Sequence, residues 1–289
     1  MLVTVLRRSA LSARRLAYRR LIHASADAEA YLEPIKSHPG VTCLLFNRPK
    51  ARNAISLRLL KEFRGCLDTV QFDNSVRVLI VRSSTPGSFC AGADLIERRS
   101  MTKPQVDKFL VDLRGALGTL ESLPMPTIAA IDGPALGGGL ELALACDLRV
   151  AGHTVTKIGL PETRLGIIPG AGGTQRITRL LGVSKAKSLI FTARTLSGPE
   201  AEACGLVDYV SAPDATAFDR SLLLAEEISA NAPLALRAAK QAISRAPELG
   251  LESGLDFERA SYEPLLKSKD RTEALEAFRE KRPPVFKGE

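Results

Sequence analysis

The chain is poor in residues that bind metals or cross-link segments. Its 289 residues include three histidines, His23, His38 and His153, all far apart. That spacing supports neither a metal-ligand cluster nor a histidine-based catalytic triad. The five cysteines, Cys43, Cys66, Cys90, Cys146 and Cys204, are scattered, odd in number and form no C-x-x-C pair. They read as core filler in a reducing compartment. No apolar run approaches the roughly 20 residues of a membrane-spanning helix. Neither G-x-G-x-x-G nor G-x-x-x-x-G-K-[ST] occurs, and "GPALGGG" and "GAGGTQ" have other spacings. The usual nucleotide-binding loops are therefore absent. Repeats and low-complexity tracts are lacking too. A composition of 45% apolar and 25% charged residues suits one large globular domain, or a domain with an appendage.

Acidic residues are missing from one place. The first 26 residues carry six arginines and no acid, so 34 of the 40 basic residues remain beyond them against 32 acidic ones, and the net charge drops from +8 to +2. "MLVTVLRRSALSARRLAYRRLIHASA" is rich in Arg, Ser and Ala and spaces its arginines at roughly helical intervals. That is the composition of a mitochondrial transit peptide rather than a secretory signal, which would carry an unbroken apolar stretch. The expected destination is the mitochondrial matrix, with cleavage somewhere between residues 20 and 30.

Beyond the leader the chain alternates. "VTCLLFN" (41–47) and "VRVLIVRSS" (76–84) read as buried strands. Residues 56–70 read as a helix capped by Ser56, with Leu57, Leu60, Phe63 and Leu67 on one face. Residues 104–123 read as a second amphipathic helix, and "PMPTIAAIDG" as a strand entering a glycine turn at 133. "LELALACDLRVAG" runs from helix into strand, and a turn-rich segment spans 160–176. From about 177 the pattern is helical, with breaks at 194–199, 211–214 and 247–250. The first two-thirds belong to the α/β class, followed by a helical appendage.

"GPALGGGLELALACD" (133–147) sets Glu141 in an apolar run just after three glycines. A bare carboxylate among Leu, Ala and Cys is costly to bury. If the glycines open a helix, the Gly138 amide has no partner within it and is available to a negative oxygen. Glu141, three residues on, shares that face. A second glycine loop, "FCAGADL" (89–95), supplies another amide at Ala93. Two backbone donors on one oxygen make an oxyanion hole, suited to a thioester carbonyl that gains negative charge. Glu162, in "GLPETRLG", is a second carboxylate in an apolar setting. Two carboxylates in one cleft, driven to different pKa values, serve as base and acid. Plain turns and a solvent-facing glutamate are the simpler readings of the same pattern.

These stretches, with "PTIAAIDGPALGGGLELALACDLRVA", "GLPET" and "IIPGAGGTQR", resemble the enoyl-CoA hydratase (crotonase) family from about residue 33 onward. Within it the chain is similar to the methylglutaconyl-CoA hydratase group, also described as AU-rich-RNA-binding enoyl-CoA hydratases. "SLIFTARTLSG" and "AFREKRPPVFKGE" point the same way. The resemblance implies an α/β fold, a spiral of ββα units over 27–215, with a C-terminal helical trimerisation region over 216–289. It implies trimers or dimers of trimers. Ala93 and Gly138 match the oxyanion-hole amides, and Glu141 and Glu162 the two catalytic glutamates that add water across a 2,3-double bond. Ala91, Asp94, Leu95 and Ile96 match the substrate loop. Lys50, Ala51, Arg52 and Ala54 match the coenzyme A pocket, as do Phe278 and Lys281, sometimes from a neighbouring subunit. Neither a metal nor a separate cofactor is implied, since coenzyme A is part of the substrate. The segment between the glutamates is one residue longer than is usual, with the surplus in "GHTVTKIG".

Three other functions compete. An enoyl-CoA isomerase shares the fold and the oxyanion loops but commonly keeps one carboxylate. RNA binding would use Lys50, Arg52, Arg58, Lys61 and Arg64, yet these also read as the solvated face of a helix without interleaved aromatics. A non-catalytic paralogue would have little reason to keep both glutamates. The acyl chain is not legible. Short 2-enoyl-CoAs of fatty-acid oxidation and 3-methylglutaconyl-CoA of leucine degradation are the candidates, with Arg98 or Arg99 as a partner for a distal carboxylate.

Overall fold

A computed structural model describes residues 27–289, so the expected leader lies outside the described residues. Two sheets organise the first part of the chain. The larger has six strands in the order β1-β2-β3-β4-β6-β8: β1 (Ala30–Pro34), β2 (Val41–Phe46), β3 (Val78–Ser83), β4 (Thr127–Ile131), β6 (Leu148–Ala151) and β8 (Tyr209–Val210). All neighbours are parallel except β1 and β2. The smaller pairs β5 (Ala135–Leu136) with β7 (Ile158–Gly159). Single bridges at Ile55–Ala93, Cys90–Ala135 and Ile158–Leu196 lie beside this second layer.

The two layers show how the chain spirals. It passes through the large sheet at β4, the small sheet at β5 and a helix, and then repeats with β6, β7 and a helix. That is the expected ββα unit. The short strand β5 delivers the chain to a helix N-terminus, where free amides collect, and β7 delivers it to the 3-10 turn Glu162–Leu165.

Alternation along the strands explains why the large sheet is covered on both faces. Leu44, Phe46, Leu79, Val81, Ala129 and Ile131 enter the main core. Val41, Cys43, Leu45, Val78, Ile80, Ile128 and Ala130 enter a second, smaller one. The main core is closed by α1 (Leu57–Val70) and by α3 (Lys103–Glu121), which follows the short α2 (Leu95–Arg99). Ser56 caps α1 as expected, accepting from the Leu59 amide at 3.0 Å. The buried stripe of α1 is Leu59, Leu60, Phe63, Leu67 and Val70. Leu57 is a correction: it falls off that stripe and is 52% exposed.

The helices continue with α4 (Gly138–Leu144), α5 (Gly173–Leu181), α6 (Val183–Thr192), α7 (Gly198–Cys204) and α8 (Ala217–Ser229). Packed against β3, β4 and β6, α8 supplies Ala217, Leu224 and Ala225 to the second core. The anticipated start of the appendage, residue 216, falls just before this helix. The following α9 (Pro233–Arg245) and α10 (Leu251–Tyr262) pack on each other and bury no residue within the chain. The chain closes with α11 (Lys269–Glu280). No described helix is long and apolar enough to cross a membrane.

Candidate active site

The first glycine loop is built by backbone pairing. Ile55 N donates to Gly92 O at 2.7 Å, and Asp94 N to Ile55 O at 3.1 Å. Ala93, the bridged residue between them, is left with an amide that donates to no other described group. Across the cleft, Leu136 N donates to Cys90 O and Gly137 N to Gly159 O. Gly138 is the first residue of α4, and its amide likewise donates to no described group. The two free amides are neighbours: a Cβ placed on Gly138 would lie 3.5 Å from Ala93 N. Unpaired backbone donors are rarely left inside a protein, and two side by side form a site for an oxygen.

The glycines around Gly138 are required by contact. Gly137 has φ +53°, and a Cβ there would sit 2.9 Å from Glu162 Oε1. At Gly139 a Cβ would sit 2.1 Å from Cys90 O, so only glycine lets α4 approach the first loop.

Glu141 is 2% exposed on α4, whose seven residues are all buried. Its Oε1 accepts from Ala171 N at 2.7 Å and Gly173 N at 2.8 Å. Burial pushes its carboxyl pKa up, while these amides and the charge of Arg176 oppose the rise. Glu162 stands on the 3-10 turn Glu162–Leu165, which follows directly from β7. Its Oε2 is buried without a partner among the described residues. Burial first, and the charge of Glu141 second, push its pKa up to about 7. Between the glutamates the chain turns at 152–157, where Val155 N donates to Gly152 O. Glu162 still reaches the cleft. Ala93, Gly138, Glu141 and Glu162 therefore converge, as the spacing and the resemblance led one to expect.

The remaining site residues divide. The 3-10 turn Pro49–Ala51 and Arg52–Ala54 run beside the first loop, with Ala91 N donating to Arg52 O at 3.1 Å. Lys50 and Arg52 are exposed there, Ala51 and Ala54 half-buried. Ala91 before the free Ala93 amide, and Leu95 and Ile96 after it, are exposed. Asp94 is different. One of its oxygens accepts from Ile96 N and Glu97 N, and the other meets Arg48 Nη1 at 2.6 Å. This side chain builds the loop. Phe278, 86% exposed, and Lys281 lie on α11 and its cap, and neither forms a described side-chain bond to the cleft. Residues that sequence reading passed over include Arg48, Asn53, Ala171 and Gly173. Asn53, fully buried at φ +55°, bonds Ser83, Phe89 O and Arg48 N and so pins the coenzyme-side segment to the sheet. The only sequence signal for these was their place inside "RPKARN" and "IIPGAGGTQR".

The cysteines stay out of the chemistry. Burial pushes the thiols of Cys43, Cys66, Cys90 and Cys146 up to about 12, far from thiolate at neutral pH.

Residues 36–289 match the family model described as enoyl-CoA hydratase/isomerase. The chain is 54% identical over 274 residues to the enoyl-CoA isomerase/hydratase fer4 of Mycosarcoma maydis, covering 91% of this chain and 99% of that protein. It is 49% identical over 253 residues to the mitochondrial methylglutaconyl-CoA hydratase of Homo sapiens, covering 86% of this chain and 74% of that one. A crystal structure of an enoyl-CoA hydratase from Bacillus anthracis superposes with a TM-score of 0.87 at 43% identity, over 90% of this chain and 100% of that chain.

Proposed function

The chain belongs to the enoyl-CoA hydratase/isomerase family, and within it we propose that it is a hydro-lyase, adding water across the 2,3-double bond of a short or branched 2-enoyl-CoA. The observation that carries this reading is a pair of carboxylates in unlike surroundings, beside two free amides.

The thioester oxygen sits between Ala93 N and Gly138 N. Glu141, whose Oε1 accepts from two amides and whose ionised form is favoured by Arg176, orients a water molecule and takes one of its protons as the water oxygen bonds to C3. The electrons of the C2–C3 double bond move onto the thioester oxygen, and the two amides stabilise the enolate. Glu162, with a pKa of about 7, holds a proton that it delivers to C2 as the carbonyl reforms. The two glutamates then exchange protons with solvent and reset. Removing one oxyanion donor typically costs about 3–4 kcal/mol of transition-state stabilisation.

The relatives named methylglutaconyl-CoA hydratase suggest 3-methylglutaconyl-CoA, an intermediate of leucine degradation, as the substrate. Arg98 supports the choice. It is half-buried on α2, its guanidinium 5.9 Å from the Phe109 ring, and it pairs with no described carboxylate. A distal carboxylate on the acyl chain is a fitting partner. Several relatives are named mitochondrial, which agrees with the leader's composition, and we place the protein in the matrix. The unburied helices α9 and α10 suit self-association into trimers. RNA binding is the weaker reading, because Arg58 and Arg64 on α1 are already paired with Glu62 and Asp112.

Hydration of crotonyl-CoA and 3-methylglutaconyl-CoA by the purified protein tests the proposal. The expected result is a higher kcat/KM for the branched dicarboxylate, with Arg98→Ala lowering that value but not the one for crotonyl-CoA. Double-bond migration without uptake of labelled water would favour the isomerase instead.

A further inference from the structure

The two amides that hold Glu141 come from a turn with little else behind it. Ala171 and Gly173 flank Gly172, which has φ +108°. The far side of the turn borders a cavity of about 880 Å³, lined also by Arg114, Glu121, Lys240 and Phe257. One side chain spans that gap. Arg176, on the first turns of α5, donates from Nη1 to Ala171 O at 3.0 Å. Its Nε and Nη2 donate to Glu121 Oε2 on α3 at 3.2 and 2.7 Å. The guanidinium fills the place of a residue-172 side chain: a Cβ there would lie 2.3 Å from Nη1. Arg176 therefore grips the peptide that lies between the two donor peptides.

We propose that Arg176, braced by Glu121, is the positioning residue for Glu141, holding the Ala171–Gly173 turn so that both amides meet the same carboxylate oxygen. The inference rests on the hydratase reading of Glu141. It follows from geometry. A turn gripped at its central carbonyl has little freedom to rotate, and its neighbouring amides stay aimed at Oε1. Displacing a reacting group by about 1 Å costs on the order of 10²-fold in rate. Charge adds a second effect. The charged groups around Glu141 are Glu162 from the 3-10 turn and Arg176 from α5, with Glu121 of α3 beyond the latter. On the first loop, Asp94 is neutralised by Arg48. Arg176 is thus the cation that favours ionised Glu141.

The test uses crotonyl-CoA hydration by the full chain and its variants Arg176→Met, Arg176→Lys, Glu121→Gln and Glu141→Ala, with kcat, KM and the pH profile measured for each. Arg176→Met is expected to lower kcat about 10²-fold at nearly unchanged KM. It should also move the acid limb of the profile to higher pH, because Glu141 loses the cation that lowers its pKa. Arg176→Lys keeps a charge but does not span both partners, so it should restore the acid limb and only part of kcat. Glu121 is 52% exposed, so Glu121→Gln should fold normally and show a smaller loss of kcat. Unchanged kcat in Arg176→Lys and Glu121→Gln, with an unchanged acid limb and only a lower Tm in Arg176→Met, would overturn the proposal. Normal turnover in Glu141→Ala would instead overturn the hydratase reading beneath it.

Discussion

Glu141 and Glu162 face one cleft from opposite kinds of support. Glu141 projects from a fully buried helix, and one of its oxygens is saturated by two amides. Glu162 opens a 3-10 turn whose last residue, Leu165, is exposed, as are Ile167 and Ile168 beyond it, and its inner oxygen has no described partner. Burial pushes both carboxyls up, but two amides and the charge of Arg176 oppose the rise at Glu141, whereas Glu162 is driven to about 7. Environment, not residue type, divides the labour.

The largest test of that contrast is Glu141→Ala. We expect kcat/KM to fall by up to about 10⁴-fold. Urea unfolding should show a loss of about 1–3 kcal/mol as well, because the Ala171 and Gly173 amides lose their buried acceptor. Glu162→Gln should cost about 10²–10⁴-fold in turnover, yet change stability in a different way. The Glu162 carboxyl has a pKa of about 7 in the fold, against the ordinary glutamate value of 4.5 in the unfolded chain. The native state then binds the proton more tightly, and stability falls as pH rises from the lower value through the higher. That decline, on the order of 2 kcal/mol between pH 5 and pH 8, should be missing in Glu162→Gln. Parallel pH curves for wild type and variant would show that Glu162 is not the strained carboxyl.

A milder test needs no mutation. The kcat/KM of the wild-type protein should decline tenfold per pH unit above about pH 7, as Glu162 gives up its proton. An alkaline limb that persists in Glu162→Gln would assign the titration to another group. The smallest effect is expected at Asp94→Asn, where a loop-building carboxylate is weakened on its Arg48 side. Stability should drop by about 1 kcal/mol and kcat/KM should change only a few-fold. A loss as deep as that of Glu162→Gln would mean that Asp94 touches the substrate.

Much of this was legible before any coordinates. The long strands β2, β3 and β4 and the helices α1 and α3 announce themselves because their periods are sustained over many residues. The half-exposed edge strand β1 and the two-residue strands β5, β7 and β8 do not, because so short a pairing leaves no period to detect. The same applies to the bridges at Ile55–Ala93 and Cys90–Ala135, on which the free amide of Ala93 depends. Ala93, Gly138, Glu141 and Glu162 stand out in the sequence because each has a conspicuous setting, a carboxylate in an apolar run or an amide after glycine. Arg48, Asn53 and Arg176 were passed over because a polar side chain carries no mark of the backbone atom it will bind.

The sequence by itself determined the class of fold, the pairing of glycine loops with glutamates and the basic leader, since each rests on composition or local spacing. Only the tertiary structure decided which amides stay unpaired, which carboxylate is saturated and which is bare, and that Arg176 grips the turn behind Glu141. The amides that hold Glu141 lie 30 and 32 positions from it, and Glu121 lies 55 from the arginine it braces. Hydrogen-bond satisfaction and desolvation are set by three-dimensional neighbours, and no local pattern encodes them.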